Sequence, residues 1–165
     1  MTPLDNPLQS IEVVAKPEGF DDWGGPLALL REAFAYMEGR IDPPSSLHRL
    51  DAAGLADKSA AEELILAIRN GELVGCLFAV PRGDLLYLGK VAVKPGLQGQ
   101  GITRRMMNLA EAGAQSRGLK AFELQTRVEL TENHRAFTAL GFEKVAETSH
   151  AGFDRVTSLT YRKAL

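Results

Sequence analysis

A mixed α/β sheet with helices on its faces is the fold this sequence predicts, and three observations carry it. Strand-length apolar runs flank an Asn-Gly pair in the first half. A glycine-rich loop stands between a strand-like run and a helical repeat. Segments of helical and strand period then alternate to the end, giving the order β-α-α-β-β-β-α-β-α-β-β.

Residues 1–8 read as a loose arm leading to a strand over Ile11–Ala15. Pro26 suits a helix start, and Leu27, Leu30, Phe34 and Met37 recur at helical spacing, predicting a helix over 26–38. Asp42-Pro43-Pro44 stops it, and Ser45 or Ser46 can cap a second helix over 46–57. Between 60 and 80, Ser59 and Glu62 could form a capping box. Asn70-Gly71 between LILAI and LVGCLFAV argues instead for a hairpin of strands 62–69 and 72–80, because both turn positions need positive φ. A further strand follows over Leu85–Val93. Ile102, Met106, Leu109, Ala110 and Gly113 mark one face of a helix that Gly118 ends. Leu119–Thr126 is a strand, Thr131 caps a helix through Leu140, and strands over 142–149 and 154–163 close the order.

The 165 residues suit one domain spanning 1–165, and 45% apolar with 24% charged residues is ordinary for a globular chain. A net charge of −2 gives no basic field for nucleic acid or an anionic membrane. The one cysteine, Cys76, excludes an internal disulfide and reads as a buried strand residue. His48, His134 and His150 are scattered, so no metal site is expected. The absence of a signal-like or spanning segment makes cytoplasmic the default expectation.

Gly96-Leu97-Gln98-Gly99-Gln100-Gly101 between a strand and a helix suits an anion. Glycines let the backbone approach a ligand, and first-turn amides point along the positive end of the helix dipole. A phosphate or pyrophosphate is the natural occupant, with Lys94, Arg104 and Arg105 adding charge. A turn without ligand explains the glycines equally well. The ATP/GTP loop fails, since Gly101-Ile102-Thr103 lacks its lysine. A dinucleotide fingerprint is a closer rival: Gly99 and Gly101 fit, its third glycine falls on Arg104, and Glu123 lies where a ribose partner belongs.

The stretch LGKVAVKPGLQGQGITRRMM (88–107) resembles the central motif of the GNAT superfamily of N-acetyltransferases, [RQ]-x-x-G-x-[GA], with Gln98, Gly101 and Thr103 in the three places. Thr103 departs from the small residue expected last. ENHRAFTALGF (132–142) resembles the second motif, which typically ends Y-x-x-L-G-F, and GELVGCLFAV (71–80) resembles the segment before the first. The similarity covers residues 8–165.

The resemblance implies an acetyl-CoA-dependent N-acetyltransferase with its fourth and fifth strands splayed. It implies that Val91, Ala92 and Val93 pair with the pantetheine arm, with the Val93 amide facing the thioester carbonyl as oxyanion donor. Gln98, Gly99, Gln100, Gly101, Ile102, Thr103 and Arg104 would hold the pyrophosphate, and Asn133 and Phe137 would contact the cofactor arm. The tyrosine that usually protonates the thiolate is matched by Phe137, which has no proton to give. The glutamate some relatives use as a base is matched by Tyr87, a poor base at neutral pH. Arg127 and His150 stand where an acceptor would be bordered. Glu129 and Glu132 flank a helix opening, where a carboxylate also suits the helix dipole. The expected function is acetyl transfer from acetyl-CoA to a small amine or a protein amine by direct attack. A non-catalytic acyl-CoA-binding module or sensor is the alternative, and a nicotinamide-dinucleotide protein a third. A homodimer is compatible with the fold.

Overall fold

The computed structural model describes residues 10–165; the arm expected over 1–8 lies outside them. Seven strands form one sheet in the order β1-β2-β3-β4-β5-β7-β6. They are β1 (Ile11–Ala15), β2 (Glu63–Arg69), β3 (Glu72–Arg82), β4 (Leu85–Val93), β5 (Ala121–Arg127), β6 (Glu143–Thr148) and β7 (Ser158–Ala164). Four α-helices accompany them: α1 (Gly24–Ala33), α2 (Ala52–Ser59), α3 (Ile102–Ser116) and α4 (Thr131–Ala139). The predicted order of elements is reproduced.

The Asn-Gly pair does what its chemistry requires. Asn70 and Gly71 take φ of 51° and 76°, and Arg69 faces Glu72 across the turn. Alternate β2 residues then enter opposite layers. Ile65 and Ala67 join one core with Met106, Phe122 and Phe142, whereas Leu64 and Leu66 join a second with Leu30, Leu55 and Phe78. Burial on both faces is why β2 reads as a continuous apolar run rather than an alternating one.

Several boundaries differ from expectation. The first helix ends at Ala33, and Ala35–Met37 continue as a 3₁₀ turn, so Pro26 is its third residue. The segment expected as one helix over 46–57 is a 3₁₀ turn at Ser46–Arg49 followed by α2. Ser45 caps the turn by accepting from the Leu47 N–H, and Asp51 caps α2 by accepting from the Gly54 N–H at 2.7 Å. Ser59 closes α2 instead of opening a helix. Thr131 is the first helical residue of α4, not its cap; Leu130 holds that place without a side-chain hydrogen bond. Leu109 is 38% exposed, and Met107 and Ala114 take the buried places on α3.

The feature that makes the site is the junction of β4 and β5. Every other adjacent pair of strands is antiparallel, but these run parallel and pair only over Leu85–Tyr87 with Ala121–Glu123. Beyond Tyr87, β4 stays with β3 and β5 stays with β7, so the sheet opens into a V. On the β3 side, the register shifts between Cys76 and Phe78, and Lys90 adopts φ 48°, as at a β-bulge.

Candidate active site

A cavity of about 440 Å³ occupies the opened V. It passes between the layers, reaching Asn133 and Phe137 of α4 on one side and Phe34, Lys58 and Glu62 beside α1 and α2 on the other. Strand alternation divides its walls. Leu124 packs into the α3 layer and Thr126 bonds Asn133 of α4, so Gln125 and Arg127 face the α1–α2 side.

The backbone of β4 is aimed into this opening. Lys94 donates its N–H to Val74 O at 2.8 Å while Val93 stands opposite Gly75. Val93 therefore occupies a non-hydrogen-bonded rung, and its N–H points away from β3, toward the gap. Ala92 is buried in the α1–α2 layer, and Val91 packs toward the α3 layer and lines the cavity.

After β4 the chain enters the glycine loop. Gly96, Gly99 and Gly101 take φ of 91°, 77° and 83°, and a Cβ at any of them would meet nothing within 4 Å. Gly101 is the N-cap of α3 and no side chain caps the helix, so the N–H groups of Ile102, Thr103 and Arg104 lack intrahelical partners. The Gln100 side-chain oxygen is buried without a hydrogen-bond partner. Open space above bare amides, with an orphaned polar atom, fits a phosphate-bearing group. Ile102, 1% exposed, anchors this end of α3 in the core. Lys94 does not join the cradle; it pairs with Glu72.

On α4, Asn133 donates to Tyr36 Oη at 3.3 Å and to Thr126 Oγ1 at 3.4 Å. Phe137, one turn on and so on the same helix face, packs against Phe142 and Tyr161. Tyr36 thus brings a hydroxyl to the face where Phe137 has none, and burial raises its pKa.

Tyr87 lines the cavity with the Arg82 guanidinium 3.9 Å from its ring centroid, and burial raises its phenol pKa, which leaves still less phenolate to act as a base at neutral pH. Arg127 and His150 both line the cavity. Arg127 donates to Pro44 O at 3.4 Å and leaves its other terminal nitrogen, Nη1, buried without a partner. Burial and the nearby Arg127 charge hold the His150 imidazole below its usual pKa, and its ring Nδ1 meets Thr157 Oγ1.

The remaining candidates are structural. Glu132 forms a two-pronged pair with Arg40 at 2.6 and 2.9 Å, which lowers its pKa to about 2. Glu129 accepts from the Asp42 N–H at 3.1 Å. His134 Nε2 contacts the Arg127 carbonyl oxygen at 3.0 Å. Glu123 pairs with Arg162 at 2.7 Å, so the carboxylate a ribose would need is occupied. Cys76 is fully buried, and burial pushes its thiol up to about 12. Among the described residues there is no cluster of His, Cys, Asp and Glu suited to a metal, and no helix long and apolar enough to cross a membrane.

Sequence reasoning missed Lys90, Lys58 and Glu62. Lys90 lines the cavity on the bulge of β4, and burial, followed by the hydrogen bond and charge of Lys58, lowers its amine to about 8. Glu62, Cys76 and the Phe78 ring, 6.0 Å from Nζ, complete its surroundings. The unfolded chain keeps a lysine near its ordinary 10.5, so between about 8 and 10.5 it binds a proton the fold does not, and stability rises with pH across that window. Below it, the charged Lys90 destabilises the fold. Lys90→Met should therefore be more stable than the parent at pH 7, with the advantage shrinking toward pH 10. Urea midpoints of both proteins across that range measure this; an advantage independent of pH would contradict it.

Residues 27–142, over half of the chain, match the model of the acetyltransferase (GNAT) family. Comparison with curated proteins gives no match. Among solved structures the chain is similar to PaiA N-acetyltransferase from Thermoplasma acidophilum in complex with coenzyme A. The TM-score is 0.78 at 15% identity, covering 94% of this chain and 99% of that one. A GNAT family acetyltransferase from Elizabethkingia anophelis with acetyl-CoA bound gives 0.67 at 19% identity, over 94% and 99% of the two chains. The ribosomal-protein-S18-alanine N-acetyltransferase from Escherichia coli gives 0.65 at 15%, over 93% of each. At such identities these likenesses establish a shared fold.

Proposed function

Because the chain belongs to the acetyltransferase (GNAT) family, we propose that it transfers an acetyl group from acetyl-CoA to a primary amine by direct attack. The observation that carries this reading is the continuity of two features: a strand edge opened between β4 and β5, running into a bare-amide cradle at the start of α3. One holds an extended amide-bearing arm and the other a pyrophosphate, and they are joined as in a single ligand.

Acetyl-CoA supplies the acetyl group as a thioester, whose thiolate leaves readily. In this reading residues 98–104 hold the pyrophosphate through backbone N–H groups. Val91–Val93 present strand-edge groups to the pantetheine arm, Asn133 and Phe137 flank that arm, and the Val93 N–H stabilises the negative charge that develops on the carbonyl oxygen. The acceptor enters from the α1–α2 side, bordered by Arg127 and His150. Its neutral nitrogen bonds to the carbonyl carbon, the C–S bond breaks, the nitrogen gives up its proton to water, and the thiolate takes up a proton. Tyr36, held protonated by its raised pKa, stands in for the hydroxyl missing at Phe137.

The lack of a proton at Phe137 and of a carboxylate at Tyr87 favours one second reading, an acyl-CoA-binding module without turnover. Thiol release from acetyl-CoA with an amine panel, followed by mass analysis of the amine, separates the two. The transfer reading expects release that depends on amine, a product heavier by one acetyl group, and a fall of about tenfold or more in kcat for Tyr36→Phe at unchanged acetyl-CoA affinity. Binding without amine-dependent release would establish the module instead.

A further inference from the structure

We infer that the acceptor is a small amino-carboxylate, such as an α-amino acid, with its carboxylate held by cations on the α1–α2 side of the cavity. This rests on the acetyl-transfer reading and names the acceptor class for it.

The charge distribution carries the inference. The chain as a whole is net acidic at −2. Yet Lys58, Arg82, Lys90 and Arg127 line this one cavity against a single carboxylate, Glu62. Elsewhere, Arg40, Lys94, Arg117, Lys144, Arg155 and Arg162 stand at ion-pair distance from a carboxylate, and the cations without one, such as Arg31, Arg49, Lys120 and Arg135, are spread over the exposed surface instead of gathered in one cavity. Among the described residues, none of the four cavity cations has such a partner. Asp42 and Glu129, whose charges act on Arg127, lie 3.4 and 3.9 Å from Arg155 and form no ion pair with Arg127.

Three of these groups are costly to leave as they are. Arg127 keeps a buried guanidinium nitrogen unpartnered, and Lys58 and Lys90 bring like charges together on the opposite wall. A fold tolerates this where a ligand completes the set, and a carboxylate pairs with guanidinium and ammonium alike. The cavity also offers an acceptor to the other end of a zwitterion, since Glu62 keeps a buried oxygen without a partner. The enclosed volume, about 440 Å³ shared with the thioester arm, suits a small molecule. Lys90, its Nζ 6.0 Å from the ring of Phe78 in the α1–α2 layer, and Arg127, by strand alternation along β5, both belong to that side, so the cations face the entering amine and not the pyrophosphate cradle.

The test follows thiol release from acetyl-CoA with the proteinogenic amino acids and β-alanine, each against its own carboxamide, with butylamine as an uncharged-chain control. The amine of a carboxamide is less basic and more available at neutral pH, so a preference for the acid cannot come from nucleophile reactivity. At least one amino acid is expected to exceed its carboxamide by about tenfold or more in kcat/KM. Arg127→Gln and Lys58→Gln should each shrink that ratio, through KM, at unchanged acetyl-CoA affinity. Lys58 is exposed at the end of α2, so its variant keeps the comparison open where Arg127→Gln does not fold. Equal or better use of carboxamides or butylamine would overturn the inference. So would acetyl-CoA binding with no amino acid speeding thiol release. Failure to bind acetyl-CoA would instead bring down the acetyl-transfer reading beneath it.

Discussion

Gly101→Val should weaken acetyl-CoA binding about a hundredfold while leaving the protein folded. Gly101 sits at φ 83°, and a left-handed backbone costs an L-residue about 1–2 kcal/mol, more for a β-branched one. Its Cβ would meet no protein atom within 4 Å, so the substitution adds no clash inside the fold. What it disturbs is the turn that aims the first amides of α3. Losing two charge-assisted hydrogen bonds of about 1.5–3 kcal/mol each more than accounts for the drop. Gly19→Val is the control, since Gly19 shares the backbone conformation at φ 78° and the open surroundings but lies before α1. A hundredfold loss in both variants, or in neither, would remove the loop from the binding account.

The second large effect concerns the joint of the sheet. Phe122 is 1% exposed, faces Leu86 across the short β4–β5 pairing, and stacks on Phe142 at 6.3 Å. Phe122→Ala removes the largest buried side chain from the three rungs that hold the two halves of the sheet together. Truncating a buried phenylalanine costs about 3–5 kcal/mol, against a total stability of about 5–15 kcal/mol for a typical domain. The variant should lose its urea midpoint accordingly and bind acetyl-CoA poorly even where it folds, because the V opens from this point. A loss of unfolding free energy below about 1 kcal/mol would show that the joint is held elsewhere.

Local chemistry explains what could be read from the chain alone. Asn70-Gly71 fixed a hairpin against a competing helix propensity because two adjacent positive φ angles leave few alternatives. The glycine loop was legible as a positive-φ turn before an uncapped helix because three glycines there have a backbone consequence independent of the rest of the fold. Arg127 and His150 could be named only through the family resemblance. Tyr36, Lys58, Glu62 and Lys90 gave no such signal. Tyr36 meets Asn133 across 97 positions of chain, and Lys58 meets Lys90 only because α1 covers β4 and α2 packs against α1. Contacts of that range follow from topology, and no local pattern in YMEGR or DKSAAEEL encodes them. Leu109 failed for a related reason: its spacing puts it on the apolar face, but α3 covers the sheet with Met107 and Ala114 and leaves Leu109 at the rim.

Isothermal calorimetry of the purified protein with acetyl-CoA, alongside NAD, tests the central claim most directly. The cleft between β4 and β5, running into the cradle of α3, predicts saturable one-to-one binding of acetyl-CoA with NAD silent. No heat from acetyl-CoA, or binding of NAD in its place, would contradict it.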